Sequence, residues 1–397
     1  VISILAFALA APSVAVIEMP DPAAQNIRIA VSIAAPYELK DREQAAWRLL
    51  PRLVLQGTQE YSRASIYDVS LQGGRLPVAS GGPDIVRIEI SAPAGGVNIV
   101  AGVIESILTK PRFRPEDLEA ARRELKNRQG GPFAELLDPA RPSLDKASVE
   151  LCRSLWLQAC RPERISIVVS GKFEPGEGVK AFEGRIKPDP APSRGSLVND
   201  QPAPELKYHL KPLTSFELAA EPINFKDLSA GPRLLAVHAL GAGKESTVYR
   251  VLREQAGLSY EQRAILWPTA KGWVPRIYLL RRAEEGDGAV LERMIQLLEA
   301  DVATWTEADL ERAKAMATAA LDGLPVDNLF WVDESGPISN NVEDDCTLRA
   351  FMAMAGAPEW NRNRLKLAMS QVNLERLKAA AADIVKTAKS RVIPGLR

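Results

Sequence analysis

The chain has 397 residues, 46% of them apolar, which supplies core for about two domains and excludes wholesale disorder. Lys plus Arg and Asp plus Glu stand at 50 each, so no net field exists to draw in nucleic acid or an acidic membrane surface. Only two histidines occur, His209 and His238, and the three cysteines, Cys152, Cys160 and Cys346, form no C-x-x-C, so neither a zinc knuckle nor a thioredoxin-like redox site is encoded.

In chain order, residues 1–16 (VISILAFALAAPSVAV) read as the apolar core of a secretory leader with small residues near its end. On that reading 1–17 is a leader remnant and the protein is periplasmic or secreted; on the alternative, Val14–Val16 open the first strand. No other stretch reaches the roughly 18 apolar residues of a membrane span. Strands are expected at Ile29–Ile33, at 85–92 and at 165–171, with an amphipathic helix over 97–109 between them. Pro115 suits the first position of a further helix, where no amide donor is needed. Cys152 and Cys160 share a predicted helix, about 12 Å apart at 1.5 Å per residue, so buried free thiols are expected rather than a disulfide. Proline and small polar residues crowd 187–204, which reads as a linker; the halves are then 18–190 and 208–397, joined by 191–207.

In the second half, Leu235–Ala239 is expected as a strand with His238 on a sheet face, and 274–280 as another strand. Gly241–Thr247 suggests a phosphate loop, but Glu245 follows Lys244 where Ser or Thr is required, so a tight strand-to-helix turn is the better reading. A helix covers 288–303, and Thr306 with Asp309 resembles a capping box opening the next. FRPEDLEAARREL from Phe113 matches WTEADLERAKAMA from Trp305, and Ile29–Ile33 was paired with Leu235–Ala239. The expected class is α+β, a tandem duplication of about 200 residues per copy.

Val251-Leu-Arg-Glu-Gln-Ala-Gly-Leu-Ser-Tyr260 resembles the LREKxGLxY segment of the pitrilysin/insulinase family of zinc peptidases, which includes the mitochondrial processing peptidases. The tail of 41–58 resembles the family's metal-binding helix, AHFLEHMLFKGT; aligning Gly57-Thr58 puts Arg48 and Arg52 at the histidine positions and Pro51 at the catalytic glutamate. The resemblance implies two similar α/β sandwich domains, each an antiparallel or mixed sheet with helices on one face. It also implies that Arg253 and Tyr260 contact peptide near the scissile bond.

Zinc hydrolysis by an inverted H-x-x-E-H site needs two imidazoles on one helical face and a carboxylate, and no HxxxH pair exists in this chain. Arg48 and Arg52, four residues apart, would instead point two fixed positive charges from one face, while Pro51 removes a backbone donor and is expected to kink the helix. Solvated surface, or pairing with a neighbouring carboxylate, is the plain alternative for the two arginines. For Arg253 the alternative is interaction with helix-terminal carbonyls, with Gly257 as a left-handed cap and Tyr260 packed on the sheet. The resemblance implies a non-catalytic, substrate-holding subunit with no cofactor of its own, partnered by a homologous HxxEH chain that carries zinc. A scaffolding homologue, like the related core subunits of respiratory complexes, is the rival reading. An independent hydrolase is a third, with no nucleophile–His–acid set to support it.

Overall fold

Strand formation in the first half follows side-chain alternation. In β2 (Asn26–Ala34), Ile27, Ile29, Val31 and Ile33 point to one core, while Arg28, Ala30 and Ser32 take the other face. β2 pairs antiparallel with both β4 (Ile85–Pro93) and β5 (Ile165–Gly171). β3 (Val78–Gly81) lies outside β4, and β1 (Ala15–Pro20) runs parallel to β5, giving the order β1-β5-β2-β4-β3. The computed structural model describes residues 14–128, 144–186, 213–259, 261–282, 287–322, 324, 332–333, 336–337 and 345–393. β1 takes up Ala15, Val16 and Ile17, the end of the stretch expected as a leader remnant; the linker expected at 187–204 lies outside the described residues.

The inner face of this sheet is covered by α1 (Asp41–Leu53), α3 (Val97–Thr109) and α5 (Val149–Ala159), whose Trp47, Ile104 and Trp156 fill the core. Trp156 brings its one polar atom inside at no loss, because Nε1 donates to the carbonyl of Ile107 at 2.9 Å. α2 (Arg63–Gln72) is capped by Ser62, whose hydroxyl accepts from the amide of Ser65; α4 (Pro115–Arg128) starts on its proline; and the short α6 (Glu177–Phe182) packs beside β1. Cys152 and Cys160 are buried free thiols, as expected, and so is Cys346; burial pushes the Cys152 thiol up to about 12.

The second half repeats the plan. β6 (Leu213–Ala219), α7 (Ala230–Gly241), a π-helix (Val248–Gln255), β7 (Glu261–Thr269), β8 (Gly272–Arg282), α8 (Asp287–Thr304) and α9 (Glu307–Leu321) follow in that order. A short ladder of β9 (Val332–Asp333) and β10 (Gly336–Pro337), then α10 (Asp345–Met354), α11 (Arg362–Ser370), α12 (Leu374–Thr387) and β11 (Lys389–Ile393), complete it. The sheet order β11-β6-β8-β7 reproduces β5-β2-β4-β3 strand for strand, so the duplication is a property of the fold. The expected box at α9 is present: the amide of Thr306 donates to Asp309 Oδ2 at 2.9 Å.

One expectation is overturned. Leu235–Ala239 is the middle of α7, not a strand, and the counterpart of β2 is β6. Leu234, Leu235, Ala236, Val237, Ala239 and Leu240 are all buried, because α7 packs against β7, α9 and α12; an apolar run enclosed on all sides carries no period to separate helix from strand.

The halves are joined by contacts that cross between them. α10 lies on the face of the first sheet opposite its own helices, with Cys346 Sγ 3.4 Å from the carbonyl of Val168 and Thr347 Oγ1 donating to Glu89 Oε2 at 2.6 Å. The two equivalent hairpin turns also meet: Asp84 Oδ1 accepts from the amide of Ala270 at 2.9 Å. A Cβ at Gly82 would come within 2.4 Å of the carbonyl oxygen of Pro268, so only glycine allows that approach. Burial raises the Asp84 carboxyl above its ordinary value.

Candidate functional site

α1 starts where Lys40 presents its amide to Glu43 Oε2 at 3.0 Å, and Tyr37 donates its hydroxyl to the other Glu43 oxygen at 2.7 Å. The helix then runs through Pro51 to Leu53. Arg48 and Pro51 are buried and Arg52 is half-buried, so the solvated-surface alternative fails for Arg48, which is 7% exposed. The pyrrolidine of Pro51 lies against β3, where a Cβ at Gly81 would stand 2.8 Å from Pro51 Cγ. The ring thus fills the ground between helix and sheet edge, and the glycine is what admits it.

These residues do not fit a zinc ion. Two guanidiniums and a proline ring offer no ligand to zinc, and both cations would repel a third. Among the described residues, no group of three or more His, Cys, Asp or Glu side chains is placed to hold a metal. His209 lies outside the described residues. His238 is on α7, not on a sheet face; its Nδ1 is 3.0 Å from the carbonyl of Leu234, and burial pushes the imidazole down to about 4, so it is neutral near pH 7. No described helix is long and apolar enough to cross a membrane.

The second candidate region is the π-helix. Its wider turn is visible in the bond from the amide of Ala256 to the carbonyl of Val251, at 3.0 Å and five residues back. The helix ends on Gly257 at φ +59°, and the amide of Leu258 then reaches the carbonyl of Leu252 at 2.8 Å, one residue further back than after an α-helix. Val248, Val251 and Leu252 bury the inner side. Thr247 Oγ1 donates to Asp301 Oδ2 at 2.7 Å, Arg250 Nη2 donates to both Asp301 oxygens at 2.8 Å, and the buried Trp305 donates its indole N–H to Thr247 Oγ1 at 3.0 Å. Arg250 is thus held to α8, and the Arg253 guanidinium lies over the ring of Tyr249, 4.8 Å from its centroid. Tyr260 lies outside the described residues. The Gly241–Thr247 segment follows a helix rather than a strand: Gly241 lets α7 approach β7, where a Cβ would meet the carbonyl oxygen of Ala264 at 2.4 Å.

The sequence does not point to Tyr249 or Asp301, and it marks Trp305 only as the start of a repeated helix segment. Tyr249 stands four residues from Arg253 on one helix, but that spacing does not by itself mark the stacking. Asp301 carries no local signal, since it meets Arg250 across 51 residues of chain.

Solved structures share this architecture along nearly the whole chain. A protease from Helicobacter pylori superposes with a TM-score of 0.64 at 13% identity, covering 96% of this chain and 97% of that one. A peptidase M16 inactive domain from Pseudomonas fluorescens gives 0.64 at 16%, covering 97% and 95%. The chain has the pitrilysin-like fold. A chain of complex III2 from Candida albicans gives 0.57 at 12% identity, covering 96% and 92%. No family model matches the sequence, and no curated protein matches it.

Proposed function

We propose that this chain is the non-hydrolytic, peptide-holding subunit of a zinc peptidase whose HxxEH and metal belong to a second chain of the same fold. The observation that carries the reading is α1: Arg48 and Pro51 are buried there and Pro51 is packed on Gly81, so the helix is built around residues that cannot ligate zinc. Likeness to a structure described as an inactive M16 domain agrees with it. Arg253 and Tyr260 supply a guanidinium and a phenol, both able to donate to a peptide carbonyl and to stabilise the charge it gains during cleavage. An extended peptide would bind mainly through main-chain hydrogen bonds at a sheet edge.

The test is co-expression with an HxxEH homologue and measurement of peptide hydrolysis. Arg253→Ala and Tyr260→Phe should each lower turnover about tenfold or more, as loss of a placed donor does. Turnover unchanged in both variants would remove the substrate-holding role. The second reading, a scaffold with no part in cleavage, is favoured by the likeness to a complex III2 chain. It predicts that the partner hydrolyses peptide equally well without this chain.

A further inference from the structure

Two arginines three residues apart on the π-helix make different contacts. Arg250 is drawn to Asp301, whose side chain is 12% exposed, and so belongs to the anchoring of the helix. Arg253 stacks on Tyr249, four residues earlier on the same helix. The guanidinium carbon stands over the ring, 4.8 Å from its centroid, so the ring lies beneath the guanidinium rather than beside it. Stacking engages the face of a guanidinium, while its five N–H donors point outward in its plane. A long side chain that would otherwise lose rotamer freedom on binding is thereby ordered in advance.

We propose that Tyr249 is a positioning residue: its ring is the platform that holds the Arg253 guanidinium in the orientation in which it donates to the main-chain carbonyls of an extended peptide. This rests on the proposed peptide-holding function and adds the device that orients its arginine. The platform needs an aromatic face and not the phenol hydroxyl, because the attraction is between cation and ring. Tyr249 is half-buried on a helix already fixed by the Thr247, Arg250, Asp301 and Trp305 contacts, so its removal leaves the anchoring bonds in place.

The experiment is fluorescence anisotropy of labelled β-casein, an unfolded polypeptide, titrated with the full chain. Tyr249→Leu should weaken binding about two- to fivefold, the fold-change of one exposed cation–π contact. Tyr249→Phe should restore what leucine loses, and melting temperatures should not follow the same order. Arg253→Ala should weaken binding at least as much as Tyr249→Leu, and the double variant should add little to Arg253→Ala. Binding that falls with Arg253→Ala but is equal in Tyr249→Leu and the parent chain overturns the platform while leaving the peptide site intact. Binding indifferent to Arg253, or no binding of casein at all, overturns the peptide-holding function and the platform with it.

Discussion

His238 shows what enclosure does to a titratable residue. Its imidazole is buried in α7 with Nδ1 on the Leu234 carbonyl, and burial holds its folded value at about 4 against 6.5 in the open chain. The unfolded chain therefore takes up a proton in that interval which the folded chain refuses. Stability is complete above about pH 6.5 and falls as pH drops toward 4, by about 3 kcal/mol in all. Asp84 acts in the opposite sense: its raised carboxyl favours the folded form at low pH, and that contribution fades as pH rises through its folded value. Urea unfolding at pH 7, 5.5 and 4.5, compared between the parent chain and His238→Leu, isolates the histidine. The parent should lose stability on acidification relative to the variant; parallel curves would mean that the imidazole protonates without cost. At this scale the left-handed cap at Gly257, φ +59°, was legible, while the stacking of Arg253 on Tyr249 was not, because spacing alone does not say which neighbour an arginine chooses.

The π-helix is held at the level of elements by one carboxylate. Asp301 of α8 accepts from Thr247 and, through both oxygens, from Arg250, while Trp305 donates to Thr247. Asp301→Ala would leave a partly buried guanidinium and a buried hydroxyl without their acceptor, at a cost of about 3 kcal/mol. Chemical denaturation should show the lower midpoint, and β-casein binding should fall with it as Arg253 loses its support. An unchanged midpoint would mean that the helix is held by Val248, Val251 and Leu252 alone. Elements with a clear period or a start signal were legible: 165–171 matches β5, and the Thr306–Asp309 pair opens α9. α7 was not, because its run of leucine, alanine and valine is buried on every side and shows no alternation. β6 was not legible for a related reason: among its described side chains Phe216 and Leu218 join the apolar core, too short a pattern to mark a strand.

Across the whole molecule, the duplication could be read from two helix starts with the same acids and aromatics, and the two sheets repeat one strand order. What joins the halves could not. Thr347 meets Glu89 across 258 residues, and Asp84 meets Ala270 across 186; such contacts leave no local trace. The same holds for α1: Arg48, Pro51 and Arg52 can be read from the sequence, but the seating of Pro51 on Gly81 requires the fold. Hydrolytic chemistry in this account comes from another chain, and the zinc content of the purified protein, measured after saturation and gel filtration, tests that most directly. The expected result is far less than one zinc per chain and no peptide cleavage by the chain alone. One tightly held zinc per chain, with cleavage that disappears on chelation and returns with the metal, would contradict it.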